Sequence, residues 1–190
     1  MLARLKFEIS GLIKEIFNQV DFAIFQSPSS TFLDPAMGGG QFIFETIKRL
    51  KEQGHSYDSI KSRVFGYESN ILYVNYVRER YFREFGEEIP AVLRVGVLEE
   101  LESLKMRFDL VMGNPPYQDG KKDLHEKGNK QSAGTQKIWA LFVKKSFEIL
   151  NNNGVIAFIT PTSWMSGTIS VKFGQYRIFD TIKNLSPSVS

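Results

Sequence analysis

Short apolar runs alternate with amphipathic helical patterns along most of this chain, and this alternation limits its possible folds more than any other feature. Five apolar runs predict β-strands, at residues 31–34, 64–68, 91–95, 108–113 and 154–160. Helical spacing of apolar residues predicts helices at residues 2–19, 41–53, 69–85 and 137–150. Strands that alternate with helices build βαβ units. The sequence therefore predicts an α/β fold with a mainly parallel central sheet flanked by helices.

Composition narrows the class of protein further. The 190 residues are 42% hydrophobic, which is enough for one ordinary core, and the absence of cysteine excludes disulfides and thiolate metal sites. Neither a secretory signal nor an apolar run of membrane-spanning length is present, so a cytoplasmic protein without membrane contact is expected. His55 and His125 lie apart without acidic or cysteine partners, and no metal site is predicted. The formal charge of +3 is compatible with a polyanionic partner but does not by itself indicate one.

The segment at residues 31–42 predicts a ligand site at the end of the first strand. Asp34 ends the strand, Gly38 and Gly40 follow in a turn, and a helical pattern then begins. Glycines let the backbone bend sharply and approach a ligand closely. No Lys-Ser/Thr pair follows the glycines, which disfavours a P-loop, and the missing third glycine fits a dinucleotide fingerprint poorly. The alternative role for Asp34 is a strand-end helix cap.

The tetrapeptide Asn114-Pro115-Pro116-Tyr117 follows the apolar run at 108–113 and predicts a rigid polar corner. Each proline holds φ at about −65° and lacks an N–H, and residues before proline favour extended geometry. The amide of Asn114 and the carbonyl of Pro115 are therefore oriented as hydrogen-bond acceptors, while Tyr117 offers a ring face. Acceptors beside an aromatic ring suit the exocyclic amine of a nucleobase. A plain Pro-Pro turn is the alternative.

Together these segments resemble the S-adenosylmethionine-dependent adenine-N6 DNA methyltransferases. The first matches their cofactor motif Asp-Pro-Ala-x-Gly-x-Gly-x-Phe, and the second matches their Asn-Pro-Pro-Tyr motif preceded by Phe-Asp-x-Val. The cofactor motif comes first, which resembles the class with an N-terminal catalytic domain. The resemblance covers about residues 30–168 and implies a Rossmann-like methyltransferase fold.

The resemblance implies that S-adenosylmethionine binds over the first motif, with the acidic residue near the methionine end of the cofactor. A carboxylate at Glu68, the end of the second strand, can accept both ribose hydroxyls. One position departs from the family: Val97 stands where a polar contact to the cofactor's adenine is expected, unless Glu99 takes that place. The predicted cofactor-binding residues are Asp34, Ala36, Gly38, Gly40, Phe42 and Glu68.

The same resemblance implies how the second motif acts on its substrate. Asn114 and Pro115 would accept the two N–H bonds of the target amine, and the flipped base would stack on Tyr117. The predicted catalytic residues are Asn114, Pro115, Pro116 and Tyr117.

Three further residues are predicted to bind the DNA substrate. Phe142 resembles an aromatic that helps to hold the flipped base, with helix core as its alternative role. Lys121 and Lys122 lie in a polar loop at residues 118–136 and would neutralise phosphates, although a solvated loop is the alternative.

We expect one catalytic domain over residues 1–190: an N-terminal helix and loop at 1–30, the motif-bearing core at 31–168 and a C-terminal extension at 169–190. The family usually continues into a target-recognition domain, which is expected to be absent here, with the C-terminal part of the fold incomplete. The predicted partners are DNA and a partner chain or missing recognition domain. Two other functions stay open: a protein-glutamine or RNA methyltransferase, and a non-catalytic nucleic-acid-binding remnant.

Overall fold

The protein alternates helices and strands along the chain. The computed structural model describes residues 2–96, 100, 105–117, 138–160, 172–173 and 176–177. The elements are α1 (Leu2–Asn18), α2 (Ala23–Gln26), β1 (Phe32–Asp34), α3 (Gln41–Glu52), α4 (Tyr57–Lys61), β2 (Val64–Glu68), α5 (Ile71–Phe85), β3 (Val92–Val95), β4 (Phe108–Gly113), α6 (Ile138–Glu148), β5 (Leu150–Phe158), β6 (Lys172–Phe173) and β7 (Tyr176–Arg177).

The first five strands form one sheet in the order β3-β2-β1-β4-β5. All four strand pairings in this sheet are parallel. Strand β1 pairs with β2 on one side and with β4 on the other, so the strand order reverses direction at β1. Strands β6 and β7 form a separate antiparallel pair. The predicted α/β fold with a parallel central sheet is therefore confirmed.

Side chains alternate between the two faces of the central strands, and both faces are covered. Phe32 and Leu110 join a large core cluster with residues of α1, α3 and α5. Their neighbours Leu33 and Val111 join a second cluster with Ile149. Parallel strands that are buried on both faces read as continuous apolar runs. This double burial explains why the strands of this chain are easy to find in the sequence.

Strand β5 begins earlier than the sequence predicts. The pattern predicts a strand from residue 154, but Leu150 already pairs with Phe108 of β4. The register then shifts, and Asn153 adopts a left-handed backbone with φ of 65°. The side-chain amide of Asn151 donates to Asp109 at 2.9 Å. A run of asparagines before a glycine resembles a turn, but contacts with β4 hold it in an irregular strand.

Two short helices, α2 and α4, are absent from the sequence prediction because each is only about one turn long. The carbonyl of Phe25, in α2, is 2.8 Å from Nε2 of His55, which precedes α4. His55 therefore has a structural partner. No described helix combines the length and the apolar character that a membrane crossing requires.

Candidate active site

Three of the predicted site residues lie at the carboxyl ends of neighbouring strands. Asp34 ends β1, Glu68 ends β2, and Asn114 directly follows β4. Because β1 lies between β2 and β4 in the sheet, these ends converge at one edge. In open α/β sheets ligands bind outside the carboxyl ends of the strands, where the strand order reverses. The sheet therefore gathers the two motifs into one candidate cleft.

The turn between β1 and α3 requires glycine at two positions. Gly38 has a φ of +49° and Gly40 a φ of +79°, in the left-handed region that favours glycine. A Cβ on Gly40 would also lie 2.8 Å from Val77 on α5. A Cβ on Gly38, in contrast, would meet no atom within 4 Å. Gly40 therefore allows α3 and α5 to approach each other, while Gly38 leaves an open surface above the turn.

The carboxylate of Glu68 connects this turn to the start of α5. One oxygen accepts the backbone N–H of Gly38 at 3.0 Å. The other accepts the backbone N–H of Asn70 at 3.1 Å and the hydroxyl of Ser69 at 3.2 Å. Glu68 is only partly buried. A carboxylate offers about four acceptor sites in all, so one remains for a ligand hydroxyl and a second would require Ser69 to turn away.

Asp34 is a buried acid with few hydrogen-bond partners. Its side chain is 1% exposed. Within the described part of the chain its one hydrogen bond is to the backbone N–H of Ala36, at 3.1 Å. Burial raises the pKa of Asp34 to about 8; the Ala36 N–H acts in the opposite direction, and the negative charge of Glu68 adds to the rise. A neutral carboxylic acid is therefore its favoured form near neutral pH.

Strand β4 ends against Asp34, directly before the polar corner. A Cβ on Gly113 would be 2.8 Å from Oδ1 of Asp34, and its φ of +151° also favours glycine. The carbonyl of Gly113 accepts the N–H of Ile159 at 2.9 Å, which ties the corner to the end of β5. The next residue, Asn114, is thus held beside the cofactor motif.

The side chains of the corner bond to each other. Pro115 is buried, whereas Asn114, Pro116 and Tyr117 are exposed. The hydroxyl of Tyr117 donates to Oδ1 of Asn114 at 2.9 Å. The amide oxygen that the sequence predicts as an acceptor for a substrate amine therefore already accepts one internal hydrogen bond, which leaves one of its two acceptor sites.

Other predicted site residues are buried in the described structure or lie outside the described residues. The ring of Phe42 is 4% exposed and packs in the core, 5.8 Å from the ring of Phe17 on α1. Phe42 faces the core because it lies on the apolar side of the amphipathic helix α3, so the structure gives it a packing role. Phe142 is buried on α6, and its role at a flipped base stays a prediction. Four residues discussed above lie outside the described residues: Val97, Glu99, Lys121 and Lys122.

Two residues of the site were not identified from the sequence. Gly113 permits the contact with Asp34, and its position directly before Asn-Pro-Pro-Tyr was an available signal. Arg80 donates to the carbonyl of Gly39 at 3.0 Å, packs 4.7 Å from the ring of Phe44 and pairs with Glu84 at 3.7 Å. No local pattern distinguishes Arg80 from the other basic residues of α5.

The sequence has relatives among known methyltransferases. The chain is 25% identical over 139 residues to the type II methyltransferase M.VspI of Vibrio sp. (strain 343), an alignment that covers 72% of this chain and 32% of that protein. It is 38% identical over 83 residues to the adenine-specific methyltransferase BrxX of Escherichia coli O9:H4 (strain HS), covering 42% of this chain and 6% of that protein. The chain thus spans a third or less of the length of these relatives.

A solved structure and a family model complete the comparison. The M protein of the type I restriction enzyme EcoKI superimposes with a TM-score of 0.53 at 18% identity, covering 75% of this chain and 32% of that chain. This likeness confirms the predicted Rossmann-like methyltransferase fold. The sequence model of the Eco57I restriction-modification methylases matches residues 40–184, about three quarters of the chain. The chain therefore belongs to the Eco57I restriction-modification methylase family.

Proposed function

We propose that this chain is the catalytic domain of a DNA methyltransferase that transfers a methyl group from S-adenosylmethionine to the N6 amine of adenine. One observation carries the proposal: Gly113, the residue directly before the Asn-Pro-Pro-Tyr corner, lies against the acid of the cofactor motif, and a Cβ on it would be only 2.8 Å from Oδ1 of Asp34. Methyl transfer needs the amine and the methyl donor side by side, and this contact brings their predicted sites together.

The residues of the turn suit the proposed cofactor. Open space above Gly38 leaves room for a ligand over the backbone. The carboxylate of Glu68, already aligned by three hydrogen bonds, would accept the ribose hydroxyls. Asp34 would lie near the methionine end and Ala36 in the wall of the turn. When bound, S-adenosylmethionine supplies an electrophilic methyl group on a sulfonium.

Asn114 and Pro115 would prepare the amine for attack. The lone pair of an adenine amine is delocalised into the ring, which makes the nitrogen a poor nucleophile. Two acceptors that take its hydrogens draw the nitrogen towards tetrahedral geometry and localise the lone pair. The rate enhancement would then come from positioning and electrostatics. No covalent intermediate with the protein is required.

The base must leave the duplex to reach this corner, and Tyr117 would stack on it. Stacking is worth about 1–3 kcal/mol per base. The Tyr117 hydroxyl donates to the amide oxygen of Asn114, and that oxygen keeps a second acceptor site for the substrate amine. We propose Phe142 as a second aromatic contact, and Lys121 and Lys122 as phosphate contacts.

The DNA substrate and the adenine specificity are inferred from relatives. One is named a type II methyltransferase and the other an adenine-specific methyltransferase. Since this chain spans only part of each, we propose that base-edge readout comes from further polypeptide, either a partner chain or another domain. Phosphate contacts orient a protein on DNA but do not read its sequence. Action on cellular DNA would place the protein in the cytoplasm.

Methyl transfer from labelled S-adenosylmethionine to unmethylated DNA, followed by digestion to nucleosides, tests the proposal. We expect label in N6-methyladenine. Asn114→Ala should lose most of this label while it retains cofactor affinity, because Asn114 contacts the amine and not the cofactor. Wild-type turnover in Asn114→Ala would refute the mechanism. Label in RNA or in protein glutamine, with none in DNA, would favour the related enzyme classes instead.

A further inference from the structure

Asp34, at the centre of the site, has few partners among the described residues that could stabilise a buried negative charge. Asp34 is 1% exposed and, in the described part of the chain, accepts one hydrogen bond, from the backbone N–H of Ala36. The close approach of Gly113 packs Oδ1 further. An ionised carboxylate in such surroundings is strongly disfavoured unless a cation or several donors stabilise it.

Two charged side chains contact the turn within the described part of the chain, and neither compensates Asp34. Glu68, at the end of β2, is itself acidic and repels a second negative charge. Arg80, from α5, donates to the carbonyl of Gly39 and pairs with Glu84. The corner after β4 adds only the neutral side chains of residues 114–117. These surroundings raise the pKa of Asp34 to about 8.

We propose that Asp34 carries a proton in the cofactor-free protein and releases it when the cationic methionine portion of S-adenosylmethionine enters the cleft. This inference rests on the proposed function, and it adds that cofactor binding is coupled to proton release. The bond that breaks is the O–H of the Asp34 carboxyl, and the proton passes to solvent. The carboxylate that remains faces a positive group of the ligand.

The number of protons released per cofactor bound follows from the change in the pKa of Asp34. An opposite charge within about 4–6 Å lowers a carboxyl pKa by roughly 1–3 units. Starting from about 8, such a drop leaves Asp34 between about half and almost fully ionised in the complex at pH 7. Close to pH 7, we therefore expect release of between about 0.4 and 0.9 proton per cofactor bound. Near pH 9.5 the free protein has little proton left on Asp34, so the release should fall towards zero.

Two ligand groups could supply the charge, the sulfonium and the α-ammonium. S-adenosylhomocysteine retains the ammonium but lacks the sulfonium, so a comparison of the two ligands identifies the source. Release with both ligands assigns the effect to the ammonium, and release with S-adenosylmethionine alone assigns it to the sulfonium. Both results support the proposal.

Isothermal titration calorimetry of the whole chain, in phosphate and in Tris at one pH, measures the released protons from the buffer dependence of the binding enthalpy. Wild type should show the dependence near neutral pH. Asp34→Asn, which keeps the shape and the acceptor for Ala36, should bind without it. Asp58→Asn, a neutralised acid in the first turn of α4, should behave as wild type.

Three results would overturn the proposal. The first is cofactor binding by wild type with no buffer dependence near neutral pH, which removes the coupling and leaves the proposed function intact. The second is equal proton release near pH 7 and pH 9.5, which assigns the proton to another group. This pH series uses wild type alone, so it tests the proposal even if Asp34→Asn does not fold. The third is an absence of S-adenosylmethionine binding, which overturns the proposed function together with the coupling.

Discussion

At the scale of single residues, the Tyr117 hydroxyl shares the amide oxygen of Asn114 with the substrate amine of the proposed reaction. The phenol hydroxyl donates to the same amide oxygen that would accept the substrate amine. A neutral hydrogen bond contributes about 0.5–1.5 kcal/mol net, so this internal bond is a modest barrier to base entry. It also keeps Asn114 in one orientation while the site is empty of substrate.

Tyr117→Phe separates these two effects because it removes the hydroxyl and keeps the ring. We expect its KM for DNA to fall by roughly 2–10-fold, the equivalent of the lost internal bond. Tyr117→Ala should instead weaken DNA engagement by about 1–3 kcal/mol, since stacking is lost. Steady-state methyl transfer measures both. A higher KM in Tyr117→Phe would mean that the hydroxyl acts in the bound state, contrary to this prediction.

Because Gly113 has no side chain, the end of β4 can approach Asp34 of the first motif closely. Gly113→Ala should lower the free energy of unfolding by about 1–3 kcal/mol, because both its backbone conformation and the contact with Asp34 oppose a Cβ. Gly54→Ala is the matched control: φ there is +80°, but a Cβ would meet nothing within 4 Å. Urea unfolding measures both variants. Equal losses would show that contact with Asp34 adds nothing to the cost of backbone strain.

At the scale of secondary-structure elements, Glu68 positions the glycine turn between β1 and α3 relative to α5. Its carboxylate bonds to Gly38 in the turn and to Asn70, which caps α5 by accepting the N–H of Leu72 at 2.9 Å. The helix after the turn, α3, begins at Gln41, and Gly40 before it provides no side-chain cap. Backbone N–H groups at that end are therefore free of side-chain caps, and the turn is held mainly from β2.

Glu68→Ala should weaken S-adenosylmethionine binding by about 1–3 kcal/mol, the cost of leaving ribose hydroxyls without a charged acceptor. Calorimetric titration measures this loss. Asn70→Ala provides the control, because it removes the cap of α5 and should cost about 1 kcal/mol of stability while cofactor affinity is largely kept. If the two variants lost affinity equally, the effect of Glu68 would be attributable to the start of α5 and not to the ribose.

At the scale of the whole molecule, the reversal of strand order at β1 divides the site between two halves of the sheet. Strands β1 and β2 carry the glycine turn and Glu68, whereas β4 and β5 hold the polar corner. Asp34 lies where the halves meet, so its ionisation acts on the stability of the fold as well as on the cleft.

The stability of the cofactor-free protein should therefore decrease as the pH rises. The pKa of Asp34 in the fold, about 8, lies above its ordinary value of 3.8, so the folded state binds more protons than the unfolded state between these values. The stabilisation by the protonated form is complete below about pH 4 and is lost as the pH rises through about 8, with a slope of at most about 1.4 kcal/mol per pH unit.

Urea unfolding of wild type and Asp34→Asn at about pH 5.5 and pH 7.5 measures this slope. The difference in unfolding free energy between the two proteins should change with pH, because the amide does not titrate. Other acids contribute equally to both proteins and cancel. A difference that stays constant across this range would show that Asp34 is already ionised in the fold.

The sequence by itself determined the elements and the two motifs of this protein. The strand cores around Phe32-Leu33 and Leu110-Val111 were predictable because burial on both faces requires continuous apolar residues. The glycine turn was predictable because glycine permits backbone conformations that other residues avoid. The Asn-Pro-Pro-Tyr corner was predictable because proline restricts the backbone locally. Such signals depend on neighbours in the chain, and they also carried the family resemblance.

Only the tertiary structure decided which of these residues meet. The bond from Gly38 to Glu68 spans 30 residues, and the approach of Gly113 to Asp34 spans 79. Phe42 matches the cofactor motif in sequence, but helix packing turns its ring into the core against Phe17. The early start of β5 at Leu150 depends on pairing with Phe108. These outcomes depend on burial and on contacts between distant segments, and both arise only when the sheet has assembled.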